Sequence, residues 1–239
     1  MSREEPQLPF GTGWLCFGLN QERPCVSTYC HYGYEDLPPL AIPAESLDLA
    51  WIPSLSPAVD QRIRPHRADT NWARHRTPGN LSRLVHAAEQ ADLRLPSSFL
   101  QLMASLELQD RIPSCTACYF DLDGRILPCP DRPDLSLVPF LVDQQAVVTW
   151  YLLLEGRRHL VVASWINLVL HDDEEPDGDF DEAYADFAES TFICARSFDE
   201  FLNRFWFENT LWFALQSRDE NPLSDEQEQY LLVYGRRQS

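Results

Sequence analysis

A chain of 239 residues with 44% hydrophobic and 12% aromatic content can bury a sizeable core, which excludes disorder of the whole. Nineteen basic against thirty-seven acidic residues leave a formal charge of -18, which repels phosphates and anionic lipid and argues against nucleic-acid or membrane binding. No run of about 18 apolar residues occurs, the N-terminus MSREEPQLPF lacks the blocks of a signal peptide, and seven cysteines is an odd count, so the expectation is a cytoplasmic protein with reduced thiols.

Residues 1–78 carry prolines at 38, 39, 43, 53, 57, 65 and 78, which predict no long helix there. Short strands are expected over Gly13–Leu19 and Val26–Tyr32. Trp14, Trp51 and Trp72 mark the segment as an extension packed on the main domain, since a free tail rarely carries such side chains. From Asn80, placed to cap, Leu81, Leu84, Val85 and Ala88 recur at helical spacing up to Ala91. Pro96 fits the first position of a second helix, with Phe99, Leu102, Met103 and Leu106 on one face.

Thr116–Leu122 alternates like a strand, and Asp123-Gly124 is a turn signal. The apolar runs Leu137–Val142, Ala146–Leu154 and His159–Ala163 follow, broken by short polar segments at hairpin spacing, which makes them three antiparallel strands. Residues 171–189 then hold ten carboxylates and no basic residue, among them Asp172, Asp173, Glu174, Glu175, Asp177, Asp179, Asp181 and Glu182. Such a block repels itself and reads as an exposed loop that can steer a basic partner. It lacks the closing glutamate at the EF-hand position.

Beyond an expected edge strand, Thr191–Ala195, Ser197 and Glu200 form a capping box. The helix they open steps Phe198, Phe201, Leu202, Phe205, Trp206, Asn209, Trp212 and Phe213 at threes and fours, an aromatic face that the sheet must cover. A further helix is expected to start at Ser224. The expectation is an α+β fold: a central, mainly antiparallel sheet of four to six strands, two helices before it and one aromatic-rich helix after it. Its divisions are an extension over 1–78, a domain over 79–216 and a tail over 217–239.

Cys115 and Cys118 have the spacing of a zinc half-site, for which only Cys25, Cys30 and His31 offer a second half, but buried packing is the simpler reading. The histidines at 31, 66, 75, 86, 159 and 171 share no ligand spacing, and no nucleophile elbow, Walker loop or dinucleotide glycine pattern occurs. Arg62, Arg64, Arg67, Arg74 and Arg76 form a basic cluster expected to pair with the chain's own carboxylates. No catalytic residue, metal or cofactor is assigned.

The run LPSSFLQLMASLELQDRIPSCTACYFDL, then VPFLVDQQAVVTWYLLL and SFDEFLNRFWFEN, resembles bacterial members of the SMI1/KNR4 (SUKH) superfamily over roughly Asn80 to Leu215. The matching pieces are Leu95-Pro96 before Phe99, Phe140-x-x-Asp143, and Ser197-Phe198-x-x-Phe201-Leu202. The resemblance implies an α+β fold and a non-enzymatic role in binding proteins. Many bacterial members are cytoplasmic immunity proteins that neutralise toxins, often nucleases, and fungal members are regulatory scaffolds. A structural-zinc protein built on Cys115 and Cys118 is the alternative of a different class, and a regulatory scaffold without a toxin partner is the third reading.

Overall fold

The computed structural model describes residues 8–17, 19, 29–33, 37–40, 49–130, 132–169, 186–216 and 222–236. Its organising unit is the antiparallel meander of β6 (Arg132–Val142), β7 (Thr149–Glu155) and β8 (Arg158–Ser164), in register over Ser136↔Leu154 and Thr149↔Ser164. These are the three strands expected from the apolar runs. The sheet grows to seven strands, in the order β1 (Gly11–Thr12), β9 (Thr191–Ala195), β8, β7, β6 and β4 (Tyr119–Phe120), while β5 (Leu127–Cys129) also pairs with β6. The fold is therefore α+β and mainly antiparallel. One expectation needs correction: β9 is not an edge strand, because β1 adds to it in parallel through Gly11↔Phe192 and Thr12↔Ile193.

Residues 149–154 of β7 are all buried, so the sheet is covered on both sides. Trp150, Leu152 and Leu154 point into one core, and Tyr151 and Leu153 into the other. Pro139 and Phe140 carry a bulge in β6, and the extra residue sets both Phe140 and Leu141 into the larger core.

That larger core is roofed by α5 (Phe198–Gln216). Phe201 lies 5.5 Å from the rings of both Phe140 and Phe205, and Phe205 sits edge-on to Trp150 at 6.0 Å. The helix starts where the cap predicts: Ser197 Oγ accepts from Glu200 N at 3.1 Å, while the Glu200 carboxylate reaches back to Arg196 N at 2.9 Å. Its second face carries the buried pair Arg204 and Glu208, absent from the sequence reading. Trp14 Nε1 donates to Glu208 Oε2 at 2.9 Å, and the Tyr230 hydroxyl donates to Oε1. Arg204 donates to Pro38 O and to the Tyr230 oxygen, both at 3.0 Å. One helix turn thereby holds β2 (Trp14–Phe17), the Pro38 segment and α6 (Asp225–Arg236). Ser224 caps α6 as expected, accepting from Gln227 N at 3.2 Å.

The expected absence of long helices before residue 78 is overturned. α1 (Pro57–Asp69) contains Pro65 and α2 (Asn71–Gln90) contains Pro78. Pro57 occupies the first turn, where its missing N–H is not needed. Pro65 and Pro78 each forfeit a backbone bond, but Ile63 on α1 and Ala73, Thr77, Leu84 and Ala88 on α2 are buried, and packing outweighs the loss. Asn80 therefore caps nothing; from mid-helix its Nδ2 donates to Leu122 O at 2.5 Å. The boundary drawn at residue 78 falls inside α2. α3 (Ser97–Ala104) begins one residue after Pro96, and the short α4 (Leu106–Asp110) follows.

Replacing Phe201 by Ala should lower unfolding free energy by about 3–5 kcal/mol in urea titration, because five aromatic neighbours lose their partner around a cavity. Leu232→Ala, at a site 52% exposed, should change it by less than about 0.5 kcal/mol in the same assay.

Candidate functional site

The eight carboxylates proposed for partner contact, Asp172 to Glu182, lie outside the described residues. The described chain on either side of them does define where that segment is rooted. Trp165 N donates to Ser190 O at 3.1 Å, and Thr191 Oγ1 donates to Ser164 Oγ at 2.9 Å, so the two limbs meet at the open end of β8 and β9. Leu168 and Phe187, on opposite limbs, are buried together against Tyr151 and Leu153 on the sheet face away from α5. Asp186 and Glu189 are exposed at this neck, as is Trp165 at 39%. Val147, 43% exposed, sits in the β6–β7 connection at the same end of the sheet.

Behind this end lies a buried polar cluster. Asp143 is only 4% exposed. One carboxylate oxygen accepts from Gln145 N at 2.9 Å, closing the turn after β6, and the other accepts from the Tyr29 hydroxyl at 2.5 Å. Tyr29 opens β3 (Tyr29–Tyr32), which pairs with β2, so Asp143 ties the N-terminal hairpin to the meander. Tyr29 also packs edge-on to Trp165 at 6.2 Å. The Phe140-x-x-Asp143 element thus serves turn closure and hairpin docking.

Cys118 borders the same cluster, with Sγ 3.2 Å from Thr116 Oγ1 and 3.5 Å from the Tyr29 oxygen. The strand expected over Thr116–Leu122 shrinks to Tyr119–Phe120, because Ala117 adopts φ +57° and the chain turns between the two cysteines. Cys115 N donates to Asn209 Oδ1 at 2.7 Å, which fastens this turn to α5. Burial moves the Cys118 thiol from 9.0 up to about 11 and pushes the Tyr29 phenol and the Cys194 thiol up as well. Both groups of the cluster therefore stay protonated at neutral pH. Cys25 lies outside the described residues, as do the side chains of Cys30 and His31. Among the described residues no three His, Cys, Asp or Glu side chains are placed to hold a metal ion.

The remaining candidates are dispersed. Arg64 and Arg67 pair with Asp60 at 2.6 and 2.8 Å, and the Arg74 and Arg76 side chains lie outside the described residues. His86 is exposed on α2. His159 is half-buried, its imidazole held toward the neutral form by burial although Asp199 opposes this. The sequence reading missed the Tyr29–Asp143 bond and the Arg204–Glu208 pair. Only the i, i+4 charges on an otherwise aromatic helix could have signalled the latter.

Raised pKa values in the folded state mean that the native chain holds these protons more tightly than the unfolded one. The Cys118 contribution is complete below pH 9.0 and is lost as pH rises through about 11. Thermal unfolding should accordingly show Tm falling over that window, and Cys118→Ala should flatten part of the fall. Tyr29→Phe should cost about 1–3 kcal/mol at neutral pH, because it strips a buried carboxylate of its donor.

No family model matches the chain, and neither a curated protein nor a solved structure does.

Proposed function

We propose that the chain is a non-enzymatic protein-binding module of the SUKH type, an immunity protein that neutralises a basic, nuclease-type toxin. The observation that carries this reading is the neck at Ser164–Trp165 and Ser190–Thr191, which fixes at one end of the sheet the two described limbs that flank the most acidic segment of the chain. Ten carboxylates within 172–189 raise the local concentration of a cationic protein and offer it the charge it would otherwise find on phosphates. Nucleic acid and anionic membranes are repelled by the same field. At the neck, Trp165 and Val147 supply the apolar contact that charge alone lacks, tryptophan being a frequent energetic centre of protein interfaces.

Steering and anchoring separate kinetically. The tagged chain is co-purified with the polypeptides encoded beside its gene, and a captured basic protein is measured by surface biosensor. Association should slow at least tenfold between about 10 and about 150 mM salt. Asp177, Asp179 and Asp181 changed together to Asn should slow association, and Trp165→Ala should hasten dissociation. A complex whose association ignores both salt and the Asn variant would overturn the reading.

A further inference from the structure

At the opposite end of the sheet the chemistry reverses. A groove of about 510 Å³ opens on the face away from α5, beside the β7–β8 turn. Its apolar lining is Leu135, Leu153 and Leu160 from three adjacent strands, with Leu8 from the N-terminal segment. Arg158 and Arg196 stand at its rim, joined by Glu155, which is opposite Arg158 in the β7–β8 ladder. Arg158 is exposed and forms no ion pair among the described residues; the nearby Arg132 is engaged with Asp134 at 2.6 Å. β8 separates this rim from the root of the acidic segment by its whole length, about 20 Å at roughly 3.3 Å per residue.

A concave apolar surface of this size is in the range that takes small ligands. Arg158, with no ion pair among the described residues, sets a guanidinium at the mouth beside the apolar wall, so the complement is an anion carried on an aliphatic body. We propose that the groove binds a medium-chain aliphatic monocarboxylate, its chain lying along Leu135, Leu153 and Leu160 and its carboxylate meeting Arg158 at the rim. The site is independent of the acidic end and of any protein partner.

The test is isothermal titration of the full chain with decanoate, with decylamine as the same tail bearing the opposite charge. Decanoate should bind at one site, at least tenfold more tightly than decylamine. Arg158→Gln, at an exposed hairpin position, should weaken decanoate at least tenfold with Tm unchanged. Glu155→Gln should strengthen it, and Arg62→Glu on the exposed face of α1 should leave it as it was. Absence of decanoate binding, equal binding of the two probes, or indifference to both groove variants would overturn the assignment.

Discussion

The contact between the aromatic face of α5 and the sheet is the constraint on which the other parts of the molecule depend. Phe140 from β6 and Trp150 from β7 meet Phe198, Phe201 and Phe205 from the helix, with ring centroids 5.5–6.4 Å apart and mostly edge-to-face. Aromatic pairs favour this geometry because the positive edge of one ring meets the negative face of the next. With the helix axis set by that interdigitation, its remaining positions become anchors. Asn209 receives the Cys115 turn, and Arg204 with Glu208 receives the two ends of the described chain. Two charged side chains buried in this way are costly unless their polar atoms are hydrogen-bonded, as these are. What these bonds supply is direction: the Trp14 indole, the Pro38 carbonyl and the Tyr230 hydroxyl all meet one turn of α5, so the N-terminal strands and α6 dock in a single arrangement.

The two faces of the sheet are finished differently. On the helix side, α2, α3 and α5 close a continuous core that includes Phe99, Leu102, Trp150 and Phe205. On the other side the cover is thinner: Phe10, Leu168 and Phe187 pack on Tyr151 and Val162, and toward the β7–β8 turn the leucines face a groove. The acidic segment is rooted where β8 ends and β9 begins, while Arg158 and Arg196 lie at the far end. That root and the Arg158 rim are about 20 Å apart along β8.

The Tyr29–Asp143 bond is the counterpart of the α5 anchors at the acidic end. A carboxylate 4% exposed is costly to bury unless its oxygens are bonded, and here one closes a turn while the other binds a distant strand. Tyr29 in turn packs on Trp150 and Trp165, joining the core to the exposed neck through one side chain. Trp165 is held in place by this base.

By itself the sequence determined the meander, the strand at Thr191–Ala195, the capping box at Ser197 and the aromatic stripe of α5. Each is written in local periodicity or in a signal a few residues long, which backbone geometry enforces wherever the segment ends up. The charge of the acidic segment is equally a property of the sequence. Only the tertiary structure decided that α1 and α2 run through Pro65 and Pro78, since burial of Ile63, Ala73, Thr77 and Leu84 against other elements outweighs a local backbone penalty. Contacts across large separations, Gly11 with Phe192, Tyr29 with Asp143 and Trp14 with Glu208, likewise leave no local trace. Their partners are chosen by where the packed sheet and helix bring the chain together, and no window of neighbouring residues contains that information.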